Sequence, residues 1–309
     1  MRIEQLEYLM KISQMNNMTK AANALHISQP SLSESIRRLE KELDIKLLER
    51  HHKGVVLTEA GECVIESTKK VFKELNFMQI KLEALKADAS MDAKEISIDT
   101  TPVIGNAYFY DFWRGCKERL NWDVKFKQYD ARKILERLAS GRSTMGVVLI
   151  ERHILEKVQA EEKHLDFYLL EPGYVKVVFS NQHPLTRYET VPMDELIKYP
   201  LLLPKNECIP VRQIFEQYGS FEHLVESDLY MLPHRFVQDH KGMCLLSTIL
   251  LEYFDDGAFD RENLAIRELE IEVSSDLYFI MEKNYAKTEN GVACRKEVER
   301  YFTRKFCRK

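Results

Sequence analysis

The chain has no run of about 18 apolar residues, so nothing in it reads as a membrane span. Its start, MRIEQLEYLMKISQMNN, lacks the basic head, apolar middle and small-residue cleavage site of a secretion signal. Those two absences point to the cytoplasm. Glycine and proline are scarce, 11 and 9 in 309 residues, and no low-complexity tract is present. The six cysteines (Cys63, Cys116, Cys208, Cys244, Cys294 and Cys307) form no CxxC pair and no His/Cys cluster at zinc spacing. No metal site is expected, and the thiols read as reduced and structural. A redox-sensing thiol would need a resolving partner or a basic neighbourhood, and neither is evident. Catalytic signatures are missing as well. There is no G-x-S-x-G, H-E-x-x-H, P-loop or G-x-G-x-x-G, and the paired acids Asp255-Asp256 fall at an expected turn. Neither an enzyme nor a resident cofactor is expected.

What is present is a globular composition, 45% hydrophobic and 30% charged. At 309 residues the chain is too long for one ordinary core, so two or more domains are expected. The net charge of −4 does not advertise a nucleic-acid binder. Residues 1–60 hold nine Lys/Arg against eight Asp/Glu, a net of +1, and the remainder holds 36 against 41, a net of −5. Only a local basic face could meet phosphate.

The first sixty residues supply such a face. Leu6, Leu9, Met10 and Ile12 have helical spacing from Ile3 to about Met15. After Asn16-Asn17, Thr19 is the expected cap of a second helix through Leu25, with Lys20 beside it and Ala21, Ala22 and Leu25 packing. Ser28 is the expected cap of a third helix, with Pro30 in its first turn. Leu32, Ile36, Leu39 and Leu43 make its buried stripe. Its other face carries Gln29, Ser33 and Arg37 in one row and Pro30, Glu34 and Arg38 in the next, with Ser31 in the first turn. Gln pairs with adenine edges, Arg with guanine or phosphate, and Ser with either, so this face suits a major groove. Any solvated amphipathic helix would look similar in isolation. The segment after the helix separates the two readings. Leu47–Arg50 and Val55–Leu57 are strand candidates joined by His51-His52-Lys53-Gly54, a hairpin with a basic tip from Arg50 to Lys53. Three helices and a hairpin make a winged helix-turn-helix.

The run AANALHISQPSLSESIRRLEKELDIKLLERHHKGVVLTEAG is similar, nearly position by position, to the DNA-binding domain of LysR-type regulators. The matching residues include Ala21-Ala22, Leu25, Ile27 to Ser33, Ile36 to Glu40, Leu43, Leu47, Arg50 and Leu57 to Gly61. The resemblance implies a DNA-binding domain over 1–58 and contacts from Thr19, Lys20, Ser28, Gln29, Pro30, Ser31, Ser33, Glu34, Arg37, Arg38, Arg50, His52 and Lys53. Glu34 departs from the family, which often has a basic residue there. It would accept from cytosine or repel phosphate. His51 and His52 make the wing more weakly basic than is usual in the family.

From Thr58, itself a candidate cap, the sequence stays helical over 59–88. Val64, Thr68, Val71, Leu75, Met78, Leu82 and Leu85 step by 4 and 3, a heptad seam. A second copy of the chain would cover that stripe, and so would this chain's own C-terminal part. The resemblance implies the first, with Val64, Val71, Leu75, Met78, Leu82 and Leu85 as a dimer linker. Residues 87–92 read as a hinge.

Residues 95–150 alternate strand and helix, which implies a parallel sheet flanked by helices. A second such set comes next, and the last helix runs from Val292 to Phe306. The order is similar to the LysR-type effector domain, itself similar to periplasmic binding proteins. The fold class expected is α+β multidomain: a winged helix-turn-helix, a linker helix and a two-lobed α/β domain over 93–309. Lobe I would span about 93–163 and 270–309, and lobe II about 164–269, with crossovers near 160–170 and 265–272. Ligands of open α/β sheets sit beyond the carboxyl ends of strands. That points to Thr100, Thr101 and Pro102 in lobe I, and to Pro204, Lys205, Asp228, Gly242 and Met243 in lobe II. Hydroxyls and free N–H groups suit an anionic effector, although Thr100 and Thr101 could equally serve only to cap the helix. The partners implied are a double-stranded DNA operator, a second copy (dimer, and tetramer as in the family), the effector, and RNA polymerase.

Overall fold

A computed structural model describes residues 1–51, 54–88, 95–204, 217–219, 223–227, 236–237, 242–251 and 263–306. The chain divides into two compact units, residues 1–79 and 80–309.

The first unit opens with α1 (Ile3–Met15), α2 (Met18–Ala24) and α3 (Gln29–Leu43). Each turn between helices uses a residue that tolerates left-handed backbone. Asn16 (φ 49°) ends α1, His26 (φ 55°) lies between α2 and α3, and Asp44 (φ 53°) ends α3. The cap of α2 is Asn17, whose side chain accepts from Lys20 N, and not Thr19 as expected. The helix starts two residues early because asparagine is a better cap than threonine. Ser28 caps α3 as expected, accepting from Ser31 N at 3.2 Å. Leu9, Ile12, Ala21, Leu32, Ile36, Leu39 and Leu47 close one core, which Ile65 of the next helix joins. Leu43, expected in that stripe, is exposed, because α3 ends there and passes beyond the core.

The hairpin is β1 (Leu48–His51) paired antiparallel with β2 (Gly54–Leu57). Gly54 sits at φ 143°, and a Cβ there would lie 2.5 Å from the Asn16 carbonyl oxygen, so the turn requires glycine. Thr58 caps α4 (Glu59–Asp88): its hydroxyl accepts from Gly61 N and donates to Lys46 O. Helix α4 continues through residues 87–88, where a hinge was expected. Residues 89–92 lie outside the described set.

The second unit holds two sheets. The first is β4-β3-β5-β13-β6. It is built from β3 (Glu95–Thr100), β4 (Asp123–Gln128), β5 (Met145–Ile150), β6 (Leu165–Glu171) and β13 (Asp276–Glu282). Strands β4, β3 and β5 are parallel, and β13 runs antiparallel to both β5 and β6. Helices α5 (Pro102–Leu120), α6 (Ala131–Ala139) and α7 (Arg152–Glu161) alternate with these strands. Strand β5, MGVVLI, is almost continuously buried, as expected of a central strand covered on both faces.

The second sheet is β10-β9-β11-β7-β12-β8. Its strands are β7 (Val175–Ser180), β8 (Thr190–Val191), β9 (Leu201–Pro204), β10 (Leu224–Ser227), β11 (Met243–Ser247) and β12 (Leu264–Leu269). Three short helices, α8 (Met193–Leu196), α9 (Thr248–Leu251) and α10 (Lys283–Ala286), precede the closing α11 (Glu289–Phe306). Much of the stretch between β9 and β11 lies outside the described residues.

One boundary moves. Strand β6 was expected to open lobe II at 164, but it pairs with β13 in the first sheet. The chain crosses from the first sheet to the second between Glu171 and Val175, and returns between Leu269 and Asp276. Local pattern marks Leu165–Glu171 as a strand, but only its long-range pairing says which sheet it joins. Helix α7 and strand β12 were not anticipated.

Candidate DNA-binding face and effector cleft

Helix α3 is held by its neighbours on three sides. Gln5 of α1 donates to Ser35 O at 3.2 Å. Ile36 and Leu39 lie in the core. At its far end Glu40 is nearly buried, and its Oε1 accepts from both Leu47 N (2.9 Å) and Leu48 N (3.2 Å), while Oε2 pairs with Lys46. One carboxylate of α3 therefore fixes the start of the wing. Val55 N donates to Asn16 O, which pins the other wing strand to the end of α1. The wing strands and α3 form one frame.

The outward face of α3 differs from the expected one at a single residue. Ser28, Pro30 and Ser31 are exposed, Gln29 is half-buried, and Thr19 and Lys20 of α2 are exposed. Ser33 is buried, 8% exposed, so it is not available for base contacts. The i+4 row from Gln29 turns Ser33 under the helix, because Leu32 and Ile36 on either side take the core. Arg37 and Arg38 have side chains 69% and 73% exposed. Glu34 lies between them: Arg37 donates to its Oε2 at 3.0 Å, and Arg38 to its Oε1 at 3.1 Å. His52, Lys53 and the side chain of Arg50 lie outside the described set. His51 is exposed, 3.5 Å from Glu49.

On α4, the heptad positions Val71, Met78 and Leu82 are 42%, 50% and 49% exposed, and Val64 and Leu75 are half-buried. Among the described residues, then, three positions of that apolar stripe are exposed and two are half-buried. Thr68, in the same series, is buried. The side chain of Leu85 is not among those described.

In the second unit the expected effector residues separate. Thr100 is fully buried and lines a small apolar void with Ile104, Tyr108, Phe112 and Phe302, inside lobe I. Met243 is fully buried in the core of the second sheet. Both are thereby corrected. Strand β11 is buried along its whole length and β3 over its last three residues, so neither position has an exposed side. Thr101 and Pro102 remain half-buried at the start of α5, and the Thr101 side chain makes no cap hydrogen bond. Gln128, at the end of the neighbouring strand, lies over this turn: a Cβ on Gly105 would come within 3.1 Å of its Nε2. Gln128 in turn donates to Asn106 at 3.3 Å. Sequence reading missed Gln128 and Asn106, although the end of β4 was a signal, being a second strand terminus beside the first. Gly242 is buried against the ring of Phe236. Lys205, Asp228 and the side chain of Pro204 lie outside the described set.

The two crossovers are tied together. Ser275 N donates to Gly173 O at 2.8 Å, and Gly173 N to the buried carboxylate of Asp276 at 3.1 Å. Asp276 also pairs with Arg152 at the start of α7, at 3.3 Å. Thr248, the first residue of α9, exchanges two bonds with Tyr174. Nearby, Tyr108 of α5 donates to Ile249 O at 3.1 Å, joining the lobes. Among the described residues no group of His, Cys, Asp and Glu has the arrangement of a metal site.

A helix-turn-helix whose second helix presents arginines, backed by a two-strand wing, defines a DNA-binding protein of the winged helix-turn-helix class. Comparisons refine the class. A family profile described as "Bacterial regulatory helix-turn-helix protein, lysR family" matches residues 3–62. The Haemophilus influenzae hydrogen peroxide-inducible genes activator is 29% identical over 216 residues, covering 68% of this chain and 66% of that protein. The Escherichia coli DNA-binding transcriptional dual regulator OxyR is 27% identical over 208 residues, covering 66% and 63%. The matched stretch thus spans about two thirds of these relatives' length. Among solved structures, a full-length OxyR variant from Pseudomonas aeruginosa aligns with a TM-score of 0.54 at 17% identity, over 98% of this chain and 99% of that one. CbnR, a LysR family transcriptional regulator, aligns with 0.54 at 18% identity, over 97% and 99%. These likenesses show the fold. Residues 3–62 thus carry a LysR-family helix-turn-helix, and the relatives that the chain resembles are transcription regulators, not enzymes.

Proposed function

We propose that the protein is a cytoplasmic, homodimeric DNA-binding regulator of transcription, gated by a small anionic effector held between its two lobes. The observation that carries it is the exposed Arg37–Arg38 pair on α3, braced through Glu40 to a wing. Two such helices in a two-fold dimer would read two half-sites. The uncovered stripe Val71, Met78 and Leu82 on α4 supports pairing with a second copy, and two dimers would make a tetramer. In the effector domain, Thr101 and Pro102 at the start of the 19-residue α5 support an anion: helix N-termini offer free N–H groups and a positive dipole end. Effector binding would favour one closure state of the lobes and change operator affinity by linkage. RNA polymerase is the partner expected downstream.

The Haemophilus influenzae relative is named for hydrogen peroxide induction, but the described buried thiols do not support a thiol signal here. Burial pushes Cys116 and Cys244 up to about 12, and Cys294 higher still, so none of the three is a thiolate near neutral pH. Footprinting on DNA upstream of the chain's own gene tests the regulator reading, and absence of protection at low salt would sink it. A thermal-shift screen of small carboxylates and phosphates tests the effector reading, since a ligand of the folded state raises the melting temperature.

A further inference from the structure

Glu34 and Glu40 are both carboxylates of α3, and the structure uses them differently. Glu40 is nearly buried and committed to two backbone N–H groups. Glu34 is 45% exposed and has no backbone partner among the described residues. Its two oxygens instead face two different guanidiniums, Arg37 three residues on and Arg38 four residues on. Helix stabilisation alone explains such spacing only weakly, since exposed pairs of this kind contribute little. The placement also bears on binding. Arg37 and Arg38 are the exposed arginines of the helix expected in the groove, and both carry the same internal anion.

From this we propose that Glu34 is an intramolecular counter-ion that competes with DNA phosphate for Arg37 and Arg38, and so lowers non-specific affinity and sets the specificity ratio. The proposal rests on the DNA-binding reading. A phosphate approaching either arginine must displace a carboxylate that already occupies it. The gain from each phosphate contact is then a difference between two anions, small on any sequence. Contacts made by residues that Glu34 does not hold, such as Ser28, Gln29 and Ser31, are not discounted in this way, so an operator that uses them keeps a larger share of its affinity than random DNA does. The net charge of only +1 over residues 1–60 leaves no reserve of positive field to hide the effect.

The test is fluorescence anisotropy of the full-length chain on two labelled duplexes over a salt series. One duplex is scrambled, and the other is a segment the wild-type chain protects in footprinting. Glu34→Gln keeps shape and removes charge. It is expected to tighten binding to the scrambled duplex by about 3- to 10-fold, the scale of two exposed ion pairs. Its salt slope should steepen by about 0.9 for each phosphate newly neutralised. The protected duplex gains less, so the specificity ratio falls. In an Arg37→Ala/Arg38→Ala background, Glu34→Gln should give no gain. An unchanged ratio overturns the proposal. So does a gain that survives without the arginines, because that is plain repulsion between Glu34 and DNA. Failure of the wild-type chain to bind either duplex overturns the DNA-binding reading itself, a result distinct from both.

Discussion

The two units display their functional groups in opposite ways. In the first, Arg37, Arg38, Ser28 and Ser31 stand on the outside of one helix, and the frame behind them is local. In the second, Gln128 lies beside the end of β3, and the two crossovers lie beside each other, only because segments apart in sequence are brought side by side. A helix shows its outer face through a 3.6-residue period, but a sheet site depends on pairings that no local pattern encodes. The first kind of site should respond to charge, and the second to backbone geometry.

The largest effect should come from the charges. Arg37→Ala/Arg38→Ala removes two groups, each able to contribute about 1–3 kcal/mol at a base edge. Operator affinity is expected to fall by roughly 100-fold or more on that basis. The melting temperature should barely change, since both side chains are exposed and their pairs with Glu34 contribute little. Anisotropy and thermal unfolding on the same samples check it. A large loss of stability would mean that the arginines hold the helix and do not serve the face.

Gly173→Ala strikes the second kind of site. A Cβ there would lie 2.4 Å from Ser275 O, on the opposite crossover, and 2.8 Å from Ile249 Cδ1. Backbone cannot yield as a flexible side-chain end does, so overpacking should cost about 2–3 kcal/mol in the effector domain. Effector-induced thermal shift should weaken, while the salt slope of DNA binding stays unchanged. A wild-type ligand response would show that the crossovers do not gate closure.

Much of the first site was legible from sequence. Ser28 as cap, Pro30 in the first turn and the Leu32/Ile36/Leu39 stripe come from rules acting within four residues. Ser33 escaped because it borders the stripe, where one residue of rotation decides burial. In the second unit the strands were legible and their partners were not. Nothing within Leu165–Glu171 says that it pairs with Asp276–Glu282, over a hundred residues away. Thr100 failed for a related reason. The end of the strand was placed correctly, but which side faces inward depends on the helix packed against it.

Glu40→Gln breaks the comparison from inside the first unit, because this residue acts through backbone and not through charge on DNA. Gln would still accept from Leu47 N and Leu48 N, but as a neutral acceptor. Charge-assisted bonds are about twice as strong as neutral ones, so two weakened bonds should cost about 1–2 kcal/mol. Operator affinity should fall with wing order, and hydrogen exchange at Leu47 and Leu48 should speed up. Unaltered exchange with reduced affinity would instead place Glu40 on the DNA.

The smallest effect belongs to His183, a buried group of the second unit that takes no part in the site. Its Nδ1 accepts from Leu185 N at 3.2 Å, and its ring packs against Phe179 and Tyr199. Its Nε2 finds no hydrogen-bond partner among the described residues. Burial lowers its pKa below the ordinary 6.5. The unfolded chain therefore takes up a proton as pH falls through 6.5, while the folded chain does so only at lower pH. Stability contributed by the neutral ring is full above 6.5, is lost progressively as pH falls toward the folded value, and then levels off. His183→Asn keeps an acceptor at the turn and removes the titration. Thermal unfolding of wild type and variant, compared above pH 6.5 and well below it, should show a smaller acid loss in the variant. Equal losses would assign the acid sensitivity of this unit to groups other than His183.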